Sequence, residues 1–222
     1  MTGGPRGLIF DCDGVLVDSE TLAAAELVAL FARMGVTMTA QQLYRDFLGR
    51  SIQTIVDTAA RDYALDLAPE LPCFTARLAT RFGHELRPVP GMAEVIAALP
   101  GARAVASSSA PDRLALSLRV TGLAPLFGDH VYSATQVAHG KPAPDLFLLA
   151  AARLGLAPED CVVIEDSPAG IRAAQAAGMR VVGFLGGAHA GPAELARHLA
   201  ELQPDALVER AADLPNTLAQ LG

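Results

Sequence analysis

Two aspartates separated by one residue carry the strongest chemical signal in this sequence. They stand in Phe10-Asp11-Cys12-Asp13-Gly14-Val15-Leu16-Val17-Asp18-Ser19, directly after the apolar run Gly7-Leu8-Ile9-Phe10. Carboxylates this close repel each other, so one has its pKa raised unless a cation intervenes. A hard divalent cation is the natural counter-charge for such oxygens. A calcium loop of the helix–loop–helix kind does not fit. No third ligand follows at i+4, no glutamate stands at the required spacing, and a strand-like run comes first. A plain solvated turn capped by Asp13 leaves the upstream apolar run and Asp18-Ser19 as coincidence.

Two later segments have the same form, polar residues at the end of an apolar run, and a third holds a Lys between turn residues just before a helix. In Val163-Ile164-Glu165-Asp166-Ser167-Pro168, Asp166 and its neighbour Glu165 precede a helix start. Alone this is an ordinary N-cap; beside Asp11 on an adjacent strand, Asp166 completes an oxygen shell suited to Mg2+. In Gly140-Lys141-Pro142, turn residues hold a Lys that can neutralise an anionic substrate group, although a loop Lys is usually solvated. In Ser107-Ser108-Ser109-Ala110-Pro111, hydroxyls and backbone N–H groups make an anion pocket or a plain N-cap.

The elements that must position these groups are legible as apolar runs bounded by turn residues. Gly7–Phe10, Ala102–Ala106, Cys161–Ile164 and Arg180–Phe184 read as buried parallel strands, which are nearly continuously hydrophobic. Helices are expected between them, over Pro111–Thr121, Pro144–Leu154 and Ser167–Ala177, the last stopped by Gly178. Strand–helix alternation predicts an α/β fold, a Rossmann-like doubly wound parallel sheet. Ligands of such sheets bind at the carboxyl ends of the strands, where all four segments fall. From 20 to 87 no strand-like run occurs, and helices are expected over Leu22–Arg33, Ile52–Tyr63 and Pro69–Phe82. This block reads as an all-helical cap inserted into a core of 1–19 and 88–222, with hinges near Asp18–Thr21 and Pro88–Gly91. The plain alternative is that these helices cover one face of the sheet.

Taken together, the four strand-end segments resemble, in content and order, the haloacid dehalogenase-like superfamily. The first motif looks like its β-phosphoglucomutase-like and sugar-phosphatase branch. The resemblance implies a Mg2+-dependent phosphatase acting on a small phosphorylated metabolite, such as a sugar phosphate, through an aspartyl-phosphate. It implies that Asp11 is the nucleophile and that Asp13 is the acid and then the base. It further implies that Asp11, the Asp13 carbonyl and Asp166 hold the metal, with Glu165 acting through water. Ser107, Ser108 and Lys141 would bind the phosphoryl oxygens. Dehalogenases of the superfamily lack the second aspartate, so Asp13 points to phosphorus chemistry.

Substrate choice is expected in the cap, where Gly49 and Arg50 stand between two helices; a solvated Arg50 is the plain reading. Mutases of this branch carry a His early in the cap. Thr21–Ala25 contains none, which favours phosphatase over mutase. A cationic cap position is open, with Arg77 or Arg81 as candidates. His189 follows the last long strand and reads as a loop residue, or as one that reaches the rim of the site. A phospho-accepting regulator is the third reading, disfavoured by the helical block.

Composition sets the outer bounds. The 222 residues carry 17 Lys and Arg against 24 Asp and Glu, a formal charge of −7, with 51% hydrophobic residues. Disorder is excluded by the apolar content, and a nucleic-acid binder by the acidic balance. Three scattered cysteines suit neither a disulfide framework nor a zinc site. No apolar run reaches the roughly 18 residues of a membrane span, and Met1–Arg6 has no signal-peptide core. A soluble cytoplasmic protein is therefore expected. A pocket dominated by Asp11, Asp13, Glu165 and Asp166 against Lys141 should bind a phosphate poorly without its metal.

Overall fold

Each residue of the first strand, β1 (Gly7–Phe10), is buried, because both faces of the sheet are covered. Leu8 and Phe10 pack into one apolar cluster and Ile9 into the other. This two-sided burial is the reason the strand reads as a continuous apolar run. The computed structural model describes residues 5–221; the start of the chain at 1–4, part of the segment read above as carrying no signal peptide, lies outside the described residues.

The partners of β1 are β2 (Ala102–Ser107), β3 (Val131–Ser133), β4 (Cys161–Glu165), β5 (Arg180–Phe184) and β6 (Ala206–Val208). All neighbours pair in parallel, in the order β3-β2-β1-β4-β5-β6. The strand order reverses at β1, so Asp11 emerges at the switch point, between the ends of β2 and β4. The doubly wound α/β sheet expected from the sequence is thus present. The edge strands β3 and β6 add to the four expected strands; at three residues each they carry too little periodicity to read.

Helices α1 (Glu20–Arg33), α2 (Ala40–Phe47), α3 (Ile52–Tyr63) and α4 (Leu71–Glu85) form the strandless block. Helix α2 was not among the expected helices. Its local signal is a capping box, in which Thr39 accepts from the Gln42 N–H and Gln42 returns a bond to the Thr39 N–H. Beyond the block follow α5 (Met92–Ala98), α6 (Pro111–Val120), α7 (Asp145–Leu154), α8 (Pro168–Ala176), α9 (Leu195–Ala200) and α10 (Leu214–Leu221). Helices α7 and α8 cover the Ile9 face of the sheet, while α6, α10 and the helical block pack into the Leu8 and Phe10 cluster.

The two segments joining the sheet to the helical block run side by side. Asp18 N–H donates to the Arg87 carbonyl at 3.0 Å, and Val89 N–H donates to the Leu16 carbonyl at 2.9 Å. Both passages between the sheet and the helices therefore lie next to Asp11 and Asp13.

Candidate active site

Where β1 ends, the backbone turns sharply. Asp11 N–H still bonds the Ile164 carbonyl of β4 at 3.0 Å, and Gly14 follows with φ +81°. A Cβ at Gly14 would overlap the Asp166 carboxylate, so glycine is required both for the turn and for the close approach of β4's acidic end. At the end of β4, Glu165 is fully buried under the start of α8 and accepts bonds from the Ser167 N–H (2.7 Å) and Oγ (3.0 Å). Ser167 caps α8 as expected, through a bond from the Gly170 N–H.

Lys141 lies between these two ends. Its Nζ donates to Asp11 Oδ1 at 2.8 Å and to Glu165 Oε1 at 2.7 Å, with its side chain 1% exposed. Burial alone would lower its pKa, but the two carboxylates outweigh burial and raise it, so the ammonium stays charged. On the other side, Asp13 accepts from Ser19 Oγ (2.5 Å), Ser109 Oγ (2.6 Å) and Arg113 (2.8 Å). Ser107 Oγ stands 3.4 Å from the same carboxylate and accepts from the Ser109 N–H. Burial pushes the Asp13 pKa up, yet the Arg113 guanidinium and the hydroxyl donors prevail and hold it below the usual range.

Asp11 and Asp166 have the opposite balance. Burial raises both; Lys141 relieves Asp11 only partly, and Glu165 adds a further upward push to each. Oxygens of Asp11, Glu165 and Asp166 lie within 4.8 Å of one another, and Asp166 Oδ2 has no hydrogen-bond partner although buried. A buried, unpartnered carboxylate oxygen beside two further carboxylates has a shortage of positive charge. The donor set is all hard oxygen, so these residues fit a hard divalent cation.

The residues singled out in the sequence fall as follows. Asp11, Asp13, Ser107 and Ser108 line one cavity of about 400 Å3, together with Gly49 and Arg50 from the helical block. Glu165, Asp166 and Lys141 adjoin Asp11 from beneath. Gly49 has φ +72°, and a Cβ there would come within 2.5 Å of the Ser167 Cβ, so this loop closes directly onto the start of α8. Arg50 is exposed and at the same time lines the cavity. Neither Arg77 nor Arg81 lines the cavity; Arg81 pairs with Glu26 and Glu85.

His189 lies in a turn after β5, and that turn brings its side chain to the site. It is 1% exposed, with Nε2 2.9 Å from Asp166 Oδ2 but not aligned for a hydrogen bond, and its ring packs 6.1 Å from that of Tyr44. Burial lowers its pKa, so a neutral imidazole faces Asp166. Arg113, Ser109 and Glu20 were not among the expected site residues. Arg113 and Ser109 belong to the same Ser-run and helix start that marked Ser107, so a basic residue two places after Pro111 was the available signal. Glu20 has no local signal beyond opening α1; burial and the Asp13 charge push its pKa up to about 8.

The haloacid dehalogenase-like hydrolase family model matches residues 5–178. The chain is also 28% identical, over 84% of its length and 86% of the relative, to 6-phosphogluconate phosphatase of Escherichia coli. It is 34% identical, over 79% of its length and 94% of the relative, to a fructose-1-phosphate phosphatase of the same organism. Among solved structures, a haloacid dehalogenase-like protein of Agrobacterium tumefaciens superimposes with a TM-score of 0.84 at 34% identity, covering 98% of this chain and 99% of that one. The chain belongs to the haloacid dehalogenase-like hydrolases.

Proposed function

We propose that this chain is a Mg2+-dependent phosphomonoester hydrolase for a small phosphorylated metabolite. The observation that carries the reading is the pair of strand-end carboxylates in contrasting environments, Asp11 against Lys141 and Asp13 among Arg113, Ser19 and Ser109. Two carboxylates whose surroundings push their pKa values apart are suited to different roles. Residues 20–87 act as a cap over the core of 1–19 and 88–222, and the paired links at Asp18 and Val89 are its hinge. The names of the relatives make sugar and sugar-acid phosphates the first class to assay.

Asp11 and Asp166, with the Asp13 carbonyl, would hold Mg2+, which supplies charge neutralisation for the phosphoryl oxygens. Both Glu165 oxygens are engaged, one by Lys141 and the other by Ser167, so Glu165 orients Lys141. Ser107, the Ser108 backbone and Lys141 receive the phosphoryl oxygens. An Asp11 oxygen attacks phosphorus, and the bond to the leaving oxygen breaks. That oxygen takes its proton from Asp13, whose pKa rises when the phosphate dianion arrives beside it. Asp13 then removes a proton from water; the resulting hydroxide attacks phosphorus, releasing phosphate and free Asp11. Phosphoryl transfer asks mainly for positioning and charge neutralisation, which this constellation provides.

Sugar-phosphate mutase activity is less favoured, because the early cap positions Ala23 and Ala24 line the cavity and offer no proton. A non-enzymatic phospho-acceptor is less favoured still, since it has no use for the helical block. No helix among the described residues is long and apolar enough to cross a membrane. The test is phosphate release from p-nitrophenyl phosphate and a sugar-phosphate panel, with and without Mg2+. Release should require Mg2+ and vanish in Asp11→Asn; an Asp11→Asn enzyme as active as its parent overturns the assignment.

A further inference from the structure

The cavity above Asp11 and Asp13 continues between the helices of the cap, and its chemistry changes there. On that side its wall is made by Leu27, Leu43, Ile55, Phe74, Leu78 and Phe82, drawn from all four cap helices. The polar or charged residues the cap contributes, among the described residues, are Glu20, Arg50 and Thr75, while Asp112, Arg113 and Arg119 line the opposite side from α6. Protein interiors rarely keep apolar voids much larger than a water molecule. The whole cavity, about 400 Å3 from the two aspartates to the cap helices, is at the small end of the roughly 300–1,000 Å3 usual for ligand sites, and its cap side is mainly apolar. The wall reaches the chemistry directly, since the Phe82 ring lies 5.1 Å from the guanidinium carbon of Arg113, which holds Asp13.

A sugar or hexitol phosphate carries a hydroxyl on nearly every carbon. Buried hydroxyls without partners are costly, and this wall has few groups to pair them. We propose that the cavity takes the apolar body of an alkyl or aryl phosphomonoester, so that the alcohol released is hydrophobic rather than polyhydroxylated. This rests on the phosphomonoesterase reading and narrows its substrate class. The phosphoryl group sits at Asp11, Lys141 and Ser107, and the alcohol's carbon body lies against the cap wall alone, along Leu27, Leu78 and Phe82. The room available suits a single ring or a short chain.

The full chain, with Mg2+, would be assayed on 2-phenylethyl phosphate and on hexitol 6-phosphate. A single methylene in an apolar pocket is worth roughly 10–200-fold in kcat/KM, so the phenylethyl ester should be favoured by more than about tenfold. Calorimetry on the two corresponding phosphonates, which cannot be hydrolysed, reads the pocket apart from the chemistry. Equal or better turnover of the hexitol ester, or equal or tighter binding of its phosphonate, overturns the proposal and leaves the hydrolase reading intact. Preferential binding of the phenylethyl phosphonate with no turnover of either ester overturns the hydrolase reading and supports the pocket assignment. Leu78→Asn, with Ile55→Thr as the milder second variant, should raise KM for the phenylethyl ester and weaken its phosphonate. Folded variants, verified by melting curves, with an unchanged preference count against the proposal.

Discussion

Replacing Lys141 with Gln removes the ammonium that touches both Asp11 and Glu165, at 2.8 and 2.7 Å. At an effective dielectric of about 20, each of those contacts is an attraction of about 6 kcal/mol before desolvation is counted. Burying the ammonium offsets several kcal/mol of this, and breaking one partner of a buried ion pair typically costs about 3–5 kcal/mol. For a chain of this size that corresponds to a fall in Tm of roughly 6–20 °C in EDTA. The cation site responds in the opposite sense. Without Lys141, Asp11, Glu165 and Asp166 are left with less compensation, so Mg2+ should bind Lys141→Gln more tightly and raise its Tm by more than it raises the parent's. Activity should nevertheless fall by about 100–1,000-fold, the usual consequence of losing one preorganised donor to a transferring group. The assay is thermal melting in EDTA and across a Mg2+ titration, with phosphate release in parallel. A variant that melts with the parent in EDTA, or gains no more from Mg2+ than the parent does, refutes the reasoning.

Three further outcomes follow from the same geometry. Gly49→Ala places a Cβ at φ +72° within 2.5 Å of the Ser167 Cβ, so it should cost about 1–2 kcal/mol from the left-handed backbone alone, raise KM and lower Tm; unchanged KM and Tm would disprove the close approach. Glu20, pushed from 4.5 to about 8, keeps a proton in the folded state that the unfolded chain loses, so parent stability declines as pH rises across that window. Glu20→Gln lacks this decline, and urea melts should show it gaining on the parent between pH 4.5 and 8; parallel stability curves would show Glu20 to be ionised. Arg113→Gln removes the charge that keeps Asp13 low, so the limb of the pH–rate profile that reports Asp13 should move to higher pH, whereas a profile with both limbs unmoved would exclude Asp13 as a titrating group.

Most groups that could be read from the sequence lie at a strand end, whereas Lys141 lies well beyond β3 and was marked by turn residues alone. Asp11, Glu165 and Asp166 follow apolar runs, Ser107 ends one, and the turn residues around Lys141 mark its loop. Strand termination is a local event set by side-chain polarity and by glycines such as Gly14, so contiguous residues suffice to signal it. The sheet followed from the same runs, because strands buried on both faces must be apolar throughout. The edge strands β3 and β6 are too short to carry that signal.

Tertiary structure alone decided the rest. His189 becomes a neighbour of Asp166 only because the loop after β5 folds back over Gly14, and the missing side chains of Gly14 and Gly187 leave room for its ring. Arg113 meets Asp13 across 100 residues of chain, and burial gives that contact its effect on the pKa. The cap side of the cavity is made by residues spaced on four helices, of which three read in sequence as ordinary helices and α2 was not expected. Amphipathic spacing shows that Leu27, Ile55 and Leu78 face inward; whether they meet one another or leave a space is a matter of packing. The sequence by itself determined which polar groups stand at the strand ends and the chemistry available to them, because those depend on near neighbours. The ionisation of each carboxylate and the surface offered to the substrate depend on what packs nearby from distant parts of the chain, and only the folded structure brings those parts together.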